Sequence, residues 1–169
     1  MARKKKSKNS SIGYSGSVTV KVMHGNKTVR QVTTKNSGTL RLFKYIANCL
    51  GNTYEVNYAP RMLRCFTDAH DVGDLVAEKQ MADMTAFVDI STNDNASDTA
   101  SVTFSFLISS NMINQESPIT AFALYSVRDS ADVSNMMAYV FLSAEDEIAV
   151  TSGENYLIEW TLSLQNVAE

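Results

Sequence analysis

Apolar and polar positions alternate most regularly near the end of the chain, from Tyr156 to Leu164. Tyr156, Ile158, Trp160, Leu162 and Leu164 fall on one side at period two, and Leu157, Glu159, Thr161 and Ser163 on the other. A strand with one buried face requires this alternation. Trp160, the only tryptophan, stands in its middle on the apolar side, where an indole buries a large area. The segment therefore predicts a central strand of a β-sandwich, with earlier strands laid beside or across from it.

The same period recurs upstream. Val18, Val20 and Val22 alternate with Thr19, Lys21 and Met23, and a returning strand follows over Val29 to Thr33. Between them Gly25-Asn26 suits a tight hairpin turn that needs positive φ. Further strands are expected at Arg61 to Phe66, Thr85 to Ile90, Ala100 to Ser109, Ile119 to Val127 and Met136 to Leu142, with a short segment at Ile148 to Val150. Polar turn-rich stretches separate them, notably 91–98, 110–117 and 128–135. One segment has helical spacing. From Thr39 to Leu50, Leu42, Phe43, Ile46, Ala47 and Leu50 make an apolar stripe, while Arg41, Lys44 and Asn48 face outward. Asn36 or Ser37 is the expected cap and Gly51-Asn52 the stop. A helical turn is expected near Asp74 to Lys79. Short strands with one amphipathic helix favour a sandwich or barrel over a βαβ sheet, and the expected architecture is an antiparallel β-sandwich.

Composition adds an arm to this body. Residues 1–15 contain almost no apolar side chain before Ile12, and such a segment alone cannot offset its ordering entropy. The expected organisation is a basic, extended N-terminal arm over 1–15 and a single β-sandwich domain over 16–169. The formal net charge of −3 hides an asymmetry. Arg3, Lys4, Lys5, Lys6 and Lys8 supply five of the fifteen basic residues, leaving ten against eighteen acidic residues in the rest. An acidic body with a short cationic leader argues against a broad nucleic-acid-binding face. It suits an arm that grips an acidic partner surface, or phosphate backbone, by charge alone. No apolar run reaches the roughly 18–20 residues that span a bilayer, and the basic N-terminus lacks the apolar region of a secretory signal.

Candidate chemistry is sparse. There is no Gly-x-Ser-x-Gly elbow, phosphate-binding glycine loop or His-Glu-x-x-His. No catalytic residue, cofactor or metal site is expected. His24 falls in a turn, and Asp68-Ala69-His70-Asp71 reads as a solvated loop rather than a ligand set, which would need more convergent partners. Asp89, Asn93, Asp94, Asn95 and Asp98 are oxygen-rich but lack the central glycine and terminal glutamate of an EF-hand loop, so a hairpin tip is the better reading. Glu145-Asp146-Glu147 reads as a solvated face. Met136-Met137 and the Phe104/Phe106 stripe belong to the core. Cys49 and Cys65 lack metal-type spacing and are expected as reduced core thiols, a single disulfide being the alternative.

Two groups of segments resemble a family of small virion structural proteins of tailed bacteriophages. The first is Lys35-Asn36-Ser37-Gly38-Thr39-Leu40-Arg41-Leu42-Phe43, running on through Cys49-Leu50-Gly51 to Pro60. The second is Ile119-Thr120-Ala121-Phe122-Ala123-Leu124, then Met136-Met137-Ala138-Tyr139-Val140, then Gly153 to Leu164 with its tryptophan strand. The likeness covers about Gly16–Pro60 and Pro118–Leu164. The chain departs from the pattern at Asn36, where a histidine is often found, and at Ala121 and Ala123. The resemblance implies a non-enzymatic component of the head, neck or tail, assembled in the host cytoplasm. Its implied partners are copies of itself in a cyclic oligomer, other virion proteins (portal, neck, tail or capsid) and, through the arm, packaged DNA, with no membrane partner. A head-decoration or head-fibre role is the near alternative. A carbohydrate- or receptor-binding sandwich, using Tyr54, Tyr58 or Tyr125 as exposed aromatics, is the alternative from another class.

Overall fold

The computed structural model describes residues 10–50, 60, 62–76, 87–89, 99–113, 117–126 and 135–168. Among the described residues nine strands form two antiparallel sheets. In chain order they are β1 (Ser10–His24), β2 (Lys27–Lys35), β3 (Ser37–Gly38), β4 (Met62–Thr67), β5 (Phe87–Asp89), β6 (Thr99–Ser109), β7 (Ile119–Tyr125), β8 (Met136–Phe141) and β9 (Glu154–Ala168). A helix, α1 (Leu40–Leu50), follows β3, and a 3-10 turn occupies Asp74–Val76. The first sheet has the order β2-β1-β9-β6-β5, so the tryptophan strand is its central member. The second has the order β3-β8-β7-β4. The two stack as a β-sandwich, the architecture that the alternation predicts.

The first hairpin turns at Gly25, whose φ of 59° is one that glycine adopts without a Cβ clash. His24 then pairs with Lys27. β1 and β9 remain paired for the full fifteen residues of each, from His24 opposite Glu154 to Ser10 opposite Ala168. Residues 10–15, assigned to the arm by composition, are thus the opening of β1.

Between the sheets lies the main core. Val18, Val20, Phe106, Ile158 and Trp160 face Leu63, Cys65, Phe122, Leu124 and Met137 from across the sandwich, and Leu42 of α1 joins them. Every residue of β4 and β7 is buried. Such continuous burial means that the smaller sheet is covered on both faces. On its outer side Met62, Phe66, Ala121, Ala123, Tyr125 and Met136 form a second cluster with Ala69 and Leu75. The segment 68–76 is laid down there by Thr120, whose hydroxyl accepts from the Ala69 amide at 2.9 Å, and by Tyr125, whose hydroxyl donates to the Leu75 carbonyl at 2.8 Å.

The outer face of the larger sheet carries paired polar residues, with an exposed Leu107 opposite Leu157 among them. Thr19 and Thr33 share a hydroxyl hydrogen bond at 3.0 Å, Thr103 and Thr161 another at 2.8 Å, and Lys21 pairs with Glu159 at 2.7 Å.

The helix differs from expectation in its start and in its phase. Neither Asn36 nor Ser37 caps it, because Ser37–Gly38 pairs with Tyr139 and Ala138 of β8. Thr39 stands ahead of Leu40 and gives both its donors to that strand: its amide to the Met137 carbonyl at 2.8 Å, and its hydroxyl to the carbonyls of Met136 and Met137. With the entry fixed in this way, Leu42 is buried and Tyr45 and Ile46 pack against the core, whereas Leu40, Phe43 and Ala47 are exposed.

Candidate functional site

The cations Arg3, Lys4, Lys5, Lys6 and Lys8 lie outside the described residues, but the root of their segment does not. Ser10 is hydrogen-bonded into the sheet beside Ala168, in register with the whole of β9. The segment therefore leaves from a fixed point at one end of the two longest strands.

The acidic stretches that could be mistaken for ligand or acid/base sites divide into two described loops and one outside. In 68–74 the Asp74 carboxylate accepts from the amides of His70 (2.8 Å) and Asp71 (3.2 Å), and the Asp71 carboxylate accepts from the Asp74 amide at 3.1 Å. Both carboxylates close their own loop, and Asp68 sits at a φ of 56° to start it. Asp74 is also the start of the predicted helical turn, which is one 3-10 turn. In the second loop, Ser143 Oγ donates to Asp146 at 2.7 Å, and Arg30 reaches from the edge strand β2 to donate to the carbonyls of Glu145 (2.9 Å) and Glu147 (2.8 Å). Arginine's planar fork suits this two-carbonyl grip. Of the oxygen-rich hairpin, Asp89 falls in β5, while Asn93, Asp94, Asn95 and Asp98 lie outside the described residues. No group of three or more His, Cys, Asp or Glu that could hold a metal ion is found among the described residues.

Tyr125 is not an exposed aromatic. It is fully buried, with the guanidinium carbon of buried Arg64 5.3 Å from its ring centroid. Burial pushes the Tyr125 phenol up to about 12, the nearby Arg64 charge opposing it. Tyr54 and Tyr58 lie outside the described residues. Cys65 is a buried free thiol held well above the usual thiol range by desolvation. It is a small core hydrophobe and an inert one. The side chain of Cys49 lies outside the description.

A polar cluster that the sequence reading missed lies over the tryptophan. With its amide oriented to satisfy its neighbours, Asn36 accepts through Oδ1 from Trp160 Nε1. Its Nδ2 donates to the Gly16 carbonyl at 3.1 Å and to the Tyr14 hydroxyl at 3.0 Å. A Cβ at Gly16 would run into the Asn36 carboxamide, so the missing side chain makes room for the cluster. Desolvation raises the Tyr14 phenol to about 12. These contacts join β1 and the β2–β3 connection to β9 and are structural.

Among the described residues a groove of about 430 Å³ opens beside the start of α1, lined by Thr39, Leu40, Arg41, Lys44, Val72, Met136 and Tyr139. Leu40 is 69% exposed and Val72 36%. Arg41 and Lys44 bring two cations to it, and Arg41 Nε also donates to Ser126 Oγ at 3.2 Å. Its described lining contains no carboxylate and no nucleophile poised beside a base. It can hold an apolar side chain next to anionic groups. In the sequence, Arg41 and Lys44 read only as outward charges of a helix. Their meeting with Val72 and Met136 depends on tertiary packing that no local pattern carries. No helix among the described residues is long and apolar enough to cross a membrane. Comparison with protein-family models, with curated proteins and with solved structures finds no match to the chain.

Proposed function

We propose that the chain is a non-enzymatic structural subunit of a tailed-phage virion, a neck or tail ring or adaptor component. On this reading it assembles with copies of itself and with other virion proteins through sheet edges, loops and its N-terminal leader. The observation that carries the proposal is the way the cationic leader is mounted. Fifteen β1–β9 pairs, about 50 Å of strand at the usual rise, hold its root rigidly on an acidic body. A leader fixed at one end and carrying five cations within eight residues can be delivered to an acidic neighbour, or to packaged DNA, without base readout. The carboxylates of Asp71, Asp74 and Asp146 support the same view, since each takes part in closing its own loop. Sheet edges offer further pairing sites between subunits.

Removal of residues 2–9 tests this. Far-UV circular dichroism and the melting temperature should stay unchanged, because the fifteen described β1–β9 pairs from Ser10 onward are all retained. Incorporation into particles should fall about tenfold or more, in line with the loss of several charge contacts. An undiminished yield of complete particles would remove the leader from the account. A full-length protein that never joins particles would overturn the proposal itself.

A further inference from the structure

The outward side of the larger sheet is a regular grid. β1, β9 and β6 run in one unbroken register, so their outward residues over 15–23, 155–163 and 101–109 stand in five rows of three. Ser17, Thr161 and Thr103 make one row, and Lys21, Leu157 and Leu107 another. All fifteen residues are described and none is buried. Nine of them are Ser or Thr. Only Lys21 and Glu159 are charged, and they pair with each other at 2.7 Å. A solvated surface usually carries charge at about 25–35% of its positions, which would be about four or five of these. Depletion of charge is instead the mark of a surface that another surface covers.

We propose that this face is a contact between two copies of the chain, the grid of one laid on the grid of the other about a two-fold axis. The occupant must be flat, carry no net charge and exchange hydrogen bonds with hydroxyls. The same face of a second copy does all three. The ion pair is satisfied within one subunit, so neither copy meets an unpaired charge across the contact. Several hydroxyls also lose water at reduced cost, because they are already bonded to each other: Thr103 with Thr161 at 2.8 Å, and Thr19 with Thr33 of β2 at 3.0 Å. Leu107, 53% exposed, and Leu157 opposite it supply apolar area that gains by leaving water. With β2 included, the face measures about 19 Å by about 30 Å at ordinary strand spacing and rise, roughly 600 Å² before side-chain relief is counted. Stable interfaces take about 800 Å² from each partner. A two-fold contact closes on itself and leaves the sheet edges and the leader to other neighbours. It therefore goes beyond the virion reading and does not depend on it.

The test is sedimentation of the full chain, of Leu107→Glu and Ser105→Arg, and of the chain lacking residues 2–9, each checked for fold by circular dichroism. The full chain should be a dimer at tens of micromolar, an affinity within reach of an interface of this size. It should stay a dimer at high salt, because no charge pair spans the contact. Removal of residues 2–9 should leave the dimer in place. Leu107→Glu and Ser105→Arg should each weaken it at least about tenfold with the fold intact, since a two-fold contact takes up each new unpaired charge twice. Should either change unfold the chain, Ser163→Arg on the central strand is read in its place. A full chain that stays monomeric would overturn the contact, whatever else the face then proves to hold. A dimer indifferent to these substitutions would overturn it too, and one that dissociates in salt or on loss of residues 2–9 would assign the association to the leader instead. Particle incorporation is read separately: a dimer that forms as expected but never joins particles would sink the virion reading alone.

Discussion

Asn36 shows how much one side chain can be asked to do. Its carboxamide meets the only tryptophan, a backbone carbonyl and a tyrosine hydroxyl at once, and its own amide donates to the Gly16 carbonyl at 3.1 Å. Asn36→Ala leaves the Trp160 indole N–H without its acceptor. Urea unfolding should register a loss of about 1–3 kcal/mol, followed by the fluorescence of Trp160; an unchanged midpoint would mean that the cluster contributes nothing. The tyrosines add a pH dependence. Tyr14 and Tyr125 both titrate near 12 in the folded chain against about 10 when unfolded. The native state therefore keeps its protons longer, and stability is full below pH 10. It is lost as pH rises from about 10 to about 12. Melting temperature should be insensitive to these groups below that window and fall through it, and Tyr125→Phe should soften the fall. None of this was legible in the sequence. Asn36 stood where a helix cap was expected, and Tyr125 where an exposed aromatic was sought. The partner that claims each lies 124 and 50 positions away along the chain.

At the level of elements, the sequence was a good guide where one face alone is buried. The alternations of Val18 to Val22, Phe104 to Ile108 and Tyr156 to Leu162 point inward as their period requires. It was a poor guide to the second sheet, because β4 and β7 are buried on both faces and carry no alternation that separates core from cover. Helix phase failed for a different reason. Two overlapping apolar stripes can be drawn on α1, one through Leu42 and Ile46 and one through Phe43 and Ala47, and hydrophobic spacing does not choose between them. The choice is made by Thr39, which ties the start of the helix to β8. Thr39→Val keeps the shape and removes the hydroxyl donor. It should cost about 1 kcal/mol and speed amide hydrogen exchange in α1, while Trp160 emission stays unchanged. Undisturbed exchange would show that the packing of Leu42 alone seats the helix.

For the whole molecule, charge and topology divide the labour. The sandwich and its helix α1 were foreseen from periodicity, although β1 already begins at Ser10, inside the segment that composition assigned to an arm, and the smaller sheet carries an outer cover. The groove was not foreseen, because it is assembled from α1, the loop around Val72 and β8, which are distant in sequence. The central place of β9 in the larger sheet has a consequence for biogenesis. Its neighbours β1 and β6 are both made earlier and meet only across it. While the ribosome is still translating residues 1–153, the apolar sides of those two strands have no central strand to lie against, and such exposure invites aggregation. Release of a nascent chain ending at Gly153 should yield an insoluble or protease-sensitive product, and one carried through Ala168 a resistant fold. For this protein, folding waits on the synthesis of its tryptophan strand.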